Sequence, residues 1–123
     1  MGASIASHPY IWVDENMGLE KVIDQVFIAL ENNKLGLPNP SSWEVLAKEF
    51  FMSAGLKSSK ELHDNVICVE ILQLNDKLVF TPMVNLGARK GFMNASKEKI
   101  EVEINNGMVE IVSALKLALS KCK

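Results

Sequence analysis

The side chains in this sequence best suited to nucleophilic or acid–base chemistry are His8, His63, Cys68 and Cys122. Two histidines would allow proton transfer near neutral pH, and a cysteine becomes a nucleophile where a base or a positive charge lowers its pKa. The spacing supports neither. His8 lies in an N-terminal tail, and His63 is followed by Asp64 in a polar connection, where histidine is commonly a plain surface residue. Cys68 has no basic neighbour in sequence. Cys68 and Cys122 are far apart along the chain and match no metal-ligand spacing. There is no Walker loop, dinucleotide fingerprint or nucleophile elbow. Gly87-x-x-x-Gly91 suits a turn better than a phosphate loop.

Charge offers a second kind of chemistry. The formal net charge is −2, and it is unevenly spread: residues 1–56 carry seven acids and three bases, residues 57–123 eight acids and ten bases. The bases are scattered and have no aromatic stacking platform beside them, so direct nucleic-acid binding is not expected. The acidic first half would suit a basic protein partner. Glu20, Asp24, Glu31 and Glu49 are equally compatible with solvated helix faces, since charged surface is the norm.

These residues must be held by a fold. With 123 residues and 48% hydrophobic content, the chain can bury a real core, and one α+β domain over residues 1–123 is expected. Its centre is the stretch VICVEILQLNDKLVFTPMVN, Val66 to Asn85, which reads as a β-hairpin. The first arm runs from Val66 to Leu74 and includes Cys68 as a small buried hydrophobe. Asn75-Asp76 forms the turn, and the second arm runs from Lys77 to Thr81. Pro82 lacks a ladder donor and is expected at an edge or a strand end.

Before the hairpin, Tyr10 to Val13 suit a short strand or an aromatic clasp. Asp14, Glu15 and Asn16 offer capping groups for a helix over about Met17–Asn32, whose stripe is Leu19, Val22, Ile23, Val26, Phe27 and Leu30. Gly36 and Pro38-Asn39-Pro40 break the helix. Ser41-x-x-Glu44 is a capping box for a second helix, about Ser42–Ala54, expected to bury Trp43, Leu46, Ala47, Phe50, Phe51 and Ala54. Gly55 and Leu56 fit its C-terminal cap. Ser58-x-x-Glu61 suggests a further helical turn. After the hairpin, Asn85 to Ser96 reads as a loop exposing Arg89, Lys90, Phe92 and Met93. Lys97 to Asn105 alternates as a half-buried strand, with Ile100, Val102 and Ile104 inward and Lys99, Glu101 and Glu103 outward. A last helix, about Met108–Lys121, faces Met108, Ile111, Val112, Leu115 and Leu119 to the core. The expectation is an antiparallel sheet of about three strands packed by three main helices.

No metal or other cofactor is expected. The N-terminus lacks the basic flank of a secretory signal, and Ala6 breaks the myristoylation pattern that Gly2 would open. No apolar run approaches membrane-spanning length. With two unspaced cysteines, the chain suits a reducing, cytoplasmic compartment.

Residues Ala54 to Cys122 resemble immunity proteins of bacterial contact-dependent growth inhibition systems, the CdiI-type antitoxins. The resemblance rests on the Gly55-x-Lys57-Ser58 entry, the short helical turn, the hairpin ending in Thr81-Pro82 and the Asn85-x-Gly87 to Gly91-Phe92 loop. The Ile100, Val102, Ile104 ladder before a final helix ending near a Cys also carries it. Ser59 and Leu62 depart from the bulkier aromatic pattern expected there. The resemblance covers a little over half the chain. It implies a non-enzymatic, cytoplasmic protein that binds the C-terminal toxin domain of a partner encoded beside it. Such toxins are often nucleases, some resembling pancreatic ribonuclease, and a nuclease cleft is basic because it holds phosphates. On that basis the toxin-binding surface is expected to comprise Asp14, Glu15, Glu20 and Asp24, joined by Glu101 and Glu103. The competing surface is the Asn85–Phe92 loop with Arg89, Lys90 and Phe92. Outside this family, the chain could be an unrelated non-enzymatic binding or regulatory domain, or a small hydrolase using His8 or His63.

Overall fold

Asn75 takes the backbone through φ 54, the left-handed region that Asn tolerates better than other residues with a Cβ, and the chain reverses at Asn75-Asp76. The structure, a computed structural model, describes residues 11, 13–32, 42–56, 60, 64, 66–94 and 96–123. The turn joins β1 (Val69–Leu74) to β2 (Lys77–Asn85), which pair antiparallel from Leu74↔Lys77 to Val69↔Pro82. The hairpin is therefore as expected in its turn, but its arms differ. Cys68 lies just ahead of β1, and β2 runs four residues past Thr81.

β2 is the central strand. β4 (Ile100–Glu103) pairs with Lys77–Phe80, and β3 (Phe92–Asn94) pairs with Met83–Asn85, both antiparallel. The sheet thus has four strands where about three were expected, because part of the Asn85–Ser96 loop pairs as β3. Pro82 is also a correction. It is fully buried within the central strand. The Met83 N–H reaches the Cys68 carbonyl at 3.0 Å, so by alternation the Pro82 nitrogen faces away from β1. On that other edge β4 stops at Phe80 and β3 starts at Met83. The missing donor falls in the gap between them.

α3 (Met108–Ser120) packs on β2 and β4. Leu78, Phe80 and Val102 are buried on the sheet, opposed by Ile111, Ala114, Leu115 and Ala118 on α3. Met108, Val112 and Leu119, expected in the core, are half-buried, while Ala114 and Ala118 are among the helix's most deeply placed residues. Close approach of helix to sheet favours the small side chain at those two positions. After α3, Lys123 runs beside β2. Its N–H donates to the Met83 carbonyl at 3.2 Å, and its carbonyl accepts from the Asn85 N–H at 2.8 Å.

These elements belong to one compact unit, Leu62–Lys123; the other is Met1–Glu61. In the latter, α1 (Leu19–Glu31) follows a 3-10 turn, Glu15–Met17. Ile23 is buried and Leu19, Val22, Val26, Phe27 and Leu30 are half-buried, which is the expected stripe. α2 (Trp43–Ser53) starts one residue later than a Ser41 box would place it: the Ser42 hydroxyl accepts from the Val45 N–H at 3.2 Å. Ser41 and the Trp43 side chain lie outside the described residues, as do Ser58 and Glu61 of the second box, Tyr10 and Trp12. Leu46, Ala47, Phe50, Phe51 and Ala54 are half-buried and not core. The α2 C-terminus closes as a Schellman motif. Leu56 N–H donates to the Phe51 carbonyl (2.8 Å) and Gly55 N–H, at φ 72, to that of Met52 (3.1 Å). The architecture is α+β, with three main helices and a four-stranded antiparallel sheet among the described residues.

Candidate partner-binding surfaces

The acids of the first unit have separate roles. Asp14 Oδ1 accepts from the Asn16 N–H at 2.8 Å, and the Asp14 carbonyl accepts from the Met17 N–H at 3.0 Å. The exposed Asp14 therefore caps the 3-10 turn and not α1, the helix for which the sequence offered it. α1 itself begins at Gly18 without a side-chain cap. Glu20 and Asp24 are one turn apart on the exposed flank of α1. The Glu15 side chain lies outside the described residues. The opposite flank of α1 borders an apolar hollow of about 350 Å3 lined by Ile11, Val13, Val22, Gln25, Val26 and Ala29.

In the second unit, Glu101 and Glu103 alternate outward on β4, on either side of buried Val102. The two differ electrostatically. Glu101 Oε2 is 3.0 Å from Lys77 Nζ, a pair with both side chains partly exposed. Such a pair contributes about 0–1 kcal/mol, and its main effect is to hold Glu101 in one direction. Glu103 has no ion-pair partner among the described residues. A groove of about 450 Å3 runs between β4 and α3, where Glu110 joins Glu101 and Glu103, with Ser113, Ala114 and Leu117 among its other walls. Glu110 was not among the sequence candidates. Its spacing reads as an ordinary exposed helix position, and only the packing of α3 on β4 brings it to the same groove.

The competing basic loop is a compact hairpin connection. Leu86 N–H donates to the Gly91 carbonyl (2.8 Å), Gly91 N–H to that of Gly87 (2.7 Å), and Gly87 N–H to Asn85 Oδ1 (2.9 Å). Arg89, Lys90 and Met93 are exposed, but Phe92 is half-buried and paired into β3, so it is not the freely exposed contact expected.

His8 and His63 lie outside the described residues. Cys68 is half-buried and points its S–H at Met83 Sδ, 3.6 Å away. Burial pushes its pKa up, and the nearby Cys122 and Glu70 charges push it further, which disfavours the thiolate a nucleophile needs. Among the described residues no three His, Cys, Asp or Glu side chains cluster to hold a metal, and no buried side-chain nitrogen or oxygen lacks a hydrogen-bond partner. No helix among them is long and apolar enough to cross a membrane.

No family model matches the chain, and no curated protein matches it. Among solved structures, it is similar to a protein of unknown function, NMB0488, from Neisseria meningitidis. The TM-score is 0.70 with 21% identity, over 85% of this chain and 71% of that one. At that identity the likeness is one of fold.

Proposed function

We propose that this chain is an immunity protein of a contact-dependent growth inhibition system, a cytoplasmic, non-enzymatic inhibitor that binds the C-terminal domain of its cognate toxin. The observation that carries the proposal is the outward display of carboxylates on regular elements: Glu20 and Asp24 along α1, and Glu101, Glu103 and Glu110 around the groove beside β4. It joins the resemblance over Ala54–Cys122. A basic nuclease cleft would meet these acids as it meets phosphates, and the same charges would speed encounter and select the partner. Inhibition needs only occlusion, and so no cofactor and no catalytic group on this chain.

Co-expression with the toxin domain encoded beside it tests this directly. The chain should restore growth and copurify with that domain at one to one. Glu20→Lys, Asp24→Lys and Glu103→Lys should slow association and flatten its salt dependence while leaving the fold intact. No complex and no protection would end the proposal. Unchanged binding in the acidic variants, with binding abolished by Arg89→Glu, would move the interface to the β2–β3 loop.

A further inference from the structure

Near the end of β2 the sulfurs of Cys68 and Met83 meet, and the Cys122 thiol reaches the backbone of Cys68. Met83 is the junction. Its N–H donates to the Cys68 carbonyl at 3.0 Å, while its own carbonyl accepts from the Lys123 N–H at 3.2 Å. In a regular antiparallel ladder that carbonyl would take the N–H of the residue opposite, Cys68. Here the residue after Cys122 takes that place. The side chains converge with the backbone. Cys68 Sγ is 3.6 Å from Met83 Sδ, and Cys122 Sγ is 3.3 Å from the carbonyl oxygen of Cys68. The two thiols are 54 positions apart in sequence, and both are free and half-buried.

We propose that Cys68 and Cys122 are a redox site that closes as a reversible disulfide on meeting a disulfide oxidant such as oxidised glutathione, fastening the segment after α3 to the start of β1.

A bridge needs Cα atoms within about 7 Å of each other and side chains that can turn toward each other. The Cys122 thiol already sits 3.3 Å from the carbonyl oxygen of the residue it would bridge to, and closure asks both thiols to turn from their present partners toward each other. What Cys122 gives up in turning is weak: its S–H is shared between the carbonyls of Cys68 and Ala118, at 3.3 and 3.4 Å, and a thiol is a poor donor. The exchange balances in two steps. The Cys122 thiolate attacks one sulfur of oxidised glutathione, expelling one glutathione thiolate and leaving a mixed disulfide. The Cys68 thiolate then attacks the Cys122 sulfur and expels the second. The two protons lost by the protein thiols end on two molecules of reduced glutathione. Burial, and then the charge of Cys122, raise the Cys68 pKa. In the dithiol this disfavours Cys68 as the thiolate that attacks first.

The full-length reduced chain, treated with excess oxidised glutathione in native buffer, tests the proposal by intact mass. The expected product has lost two hydrogen atoms, regains them with dithiothreitol, and yields on digestion a peptide pair joined through Cys68 and Cys122. Closure should be at least about tenfold faster than in the urea-unfolded chain, where the thiols sit at the ends of a long flexible loop. Cys68→Ser should stop at one glutathione on Cys122. A native chain that accumulates two glutathiones, links to a second copy, stays a dithiol, or closes no faster than the unfolded chain overturns the proposal.

Discussion

Phe80 is the side chain on which the sheet core should depend most. It is fully buried at the centre of β2, with Ile71 opposite on one side and Ile100 on the other. Phe80→Ala removes the ring and keeps the strand. Returning a fully buried Phe side chain to water accounts for about 1.5–3 kcal/mol. If about 80 Å3 of the vacated space stays open, the void adds about 2 kcal/mol at roughly 24 cal/mol per Å3. The expected loss is therefore about 3–5 kcal/mol, a large share of the 5–15 kcal/mol typical of a whole domain. In urea denaturation followed by circular dichroism, with a slope of about 2 kcal/mol per M, the midpoint should fall by roughly 1.5–2.5 M. Leu72→Ala is the control. Leu72 belongs to the neighbouring strand but is 48% exposed, so its loss should be about 1 kcal/mol or less. A Phe80→Ala protein within about 1 kcal/mol of wild type, at an unchanged slope, would refute this account of the core.

Two further outcomes follow from local geometry. At Asn75, Gly should fold as well as Asn, whereas Val at φ 54 should cost about 1–2 kcal/mol by the same urea measurement. The Glu98 carboxylate accepts from Lys121 Nζ at 2.8 Å, and that hydrogen bond, then the charge of Lys121 and, more weakly, that of Lys123, holds its pKa below the usual range. A depressed carboxylate stabilises the fold above its unfolded pKa, and the contribution is lost as pH falls through the folded value. Lys121→Met should thus raise the Glu98 midpoint seen by NMR, and its stability difference from wild type should vanish in acid.

Much of the fold follows from short-range pattern, which acts without distant partners. The Asn75-Asp76 reversal, the α1 stripe from Leu19 to Leu30, the Gly55-Leu56 cap and the alternation from Ile100 to Glu103 each depend on residues a few positions apart. Backbone sterics and hydrophobic periodicity therefore decide them before the chain is compact. The strand expected over Lys97–Asn105 is shorter than its pattern, with 3-10 turns at Ser96–Glu98 before it and Ile104–Asn106 after it. The departures are positions where distant segments compete. Pro82 can sit inside the central strand only because β4 and β3 stop and start on either side of it. Phe92–Asn94 is a strand because Met83–Asn85 is there to pair with it. Ala114 and Ala118 hold the core where longer neighbours were expected, because the approach of α3 to the sheet sets the room available. Ser42 caps α2, one position after the serine of the Ser41-x-x-Glu44 pattern, and propensity does not resolve a choice between adjacent serines. For the surfaces the division is sharper. Sequence order shows that Glu20 and Asp24 share a helix face and that Glu101 and Glu103 share a strand face. Only packing brings Glu110 to their groove, ties Glu101 to Lys77, and carries Cys122 across 54 positions to the carbonyl of Cys68. Charge and thiol chemistry depend on distance in space, which helix and strand periods set only within a single element.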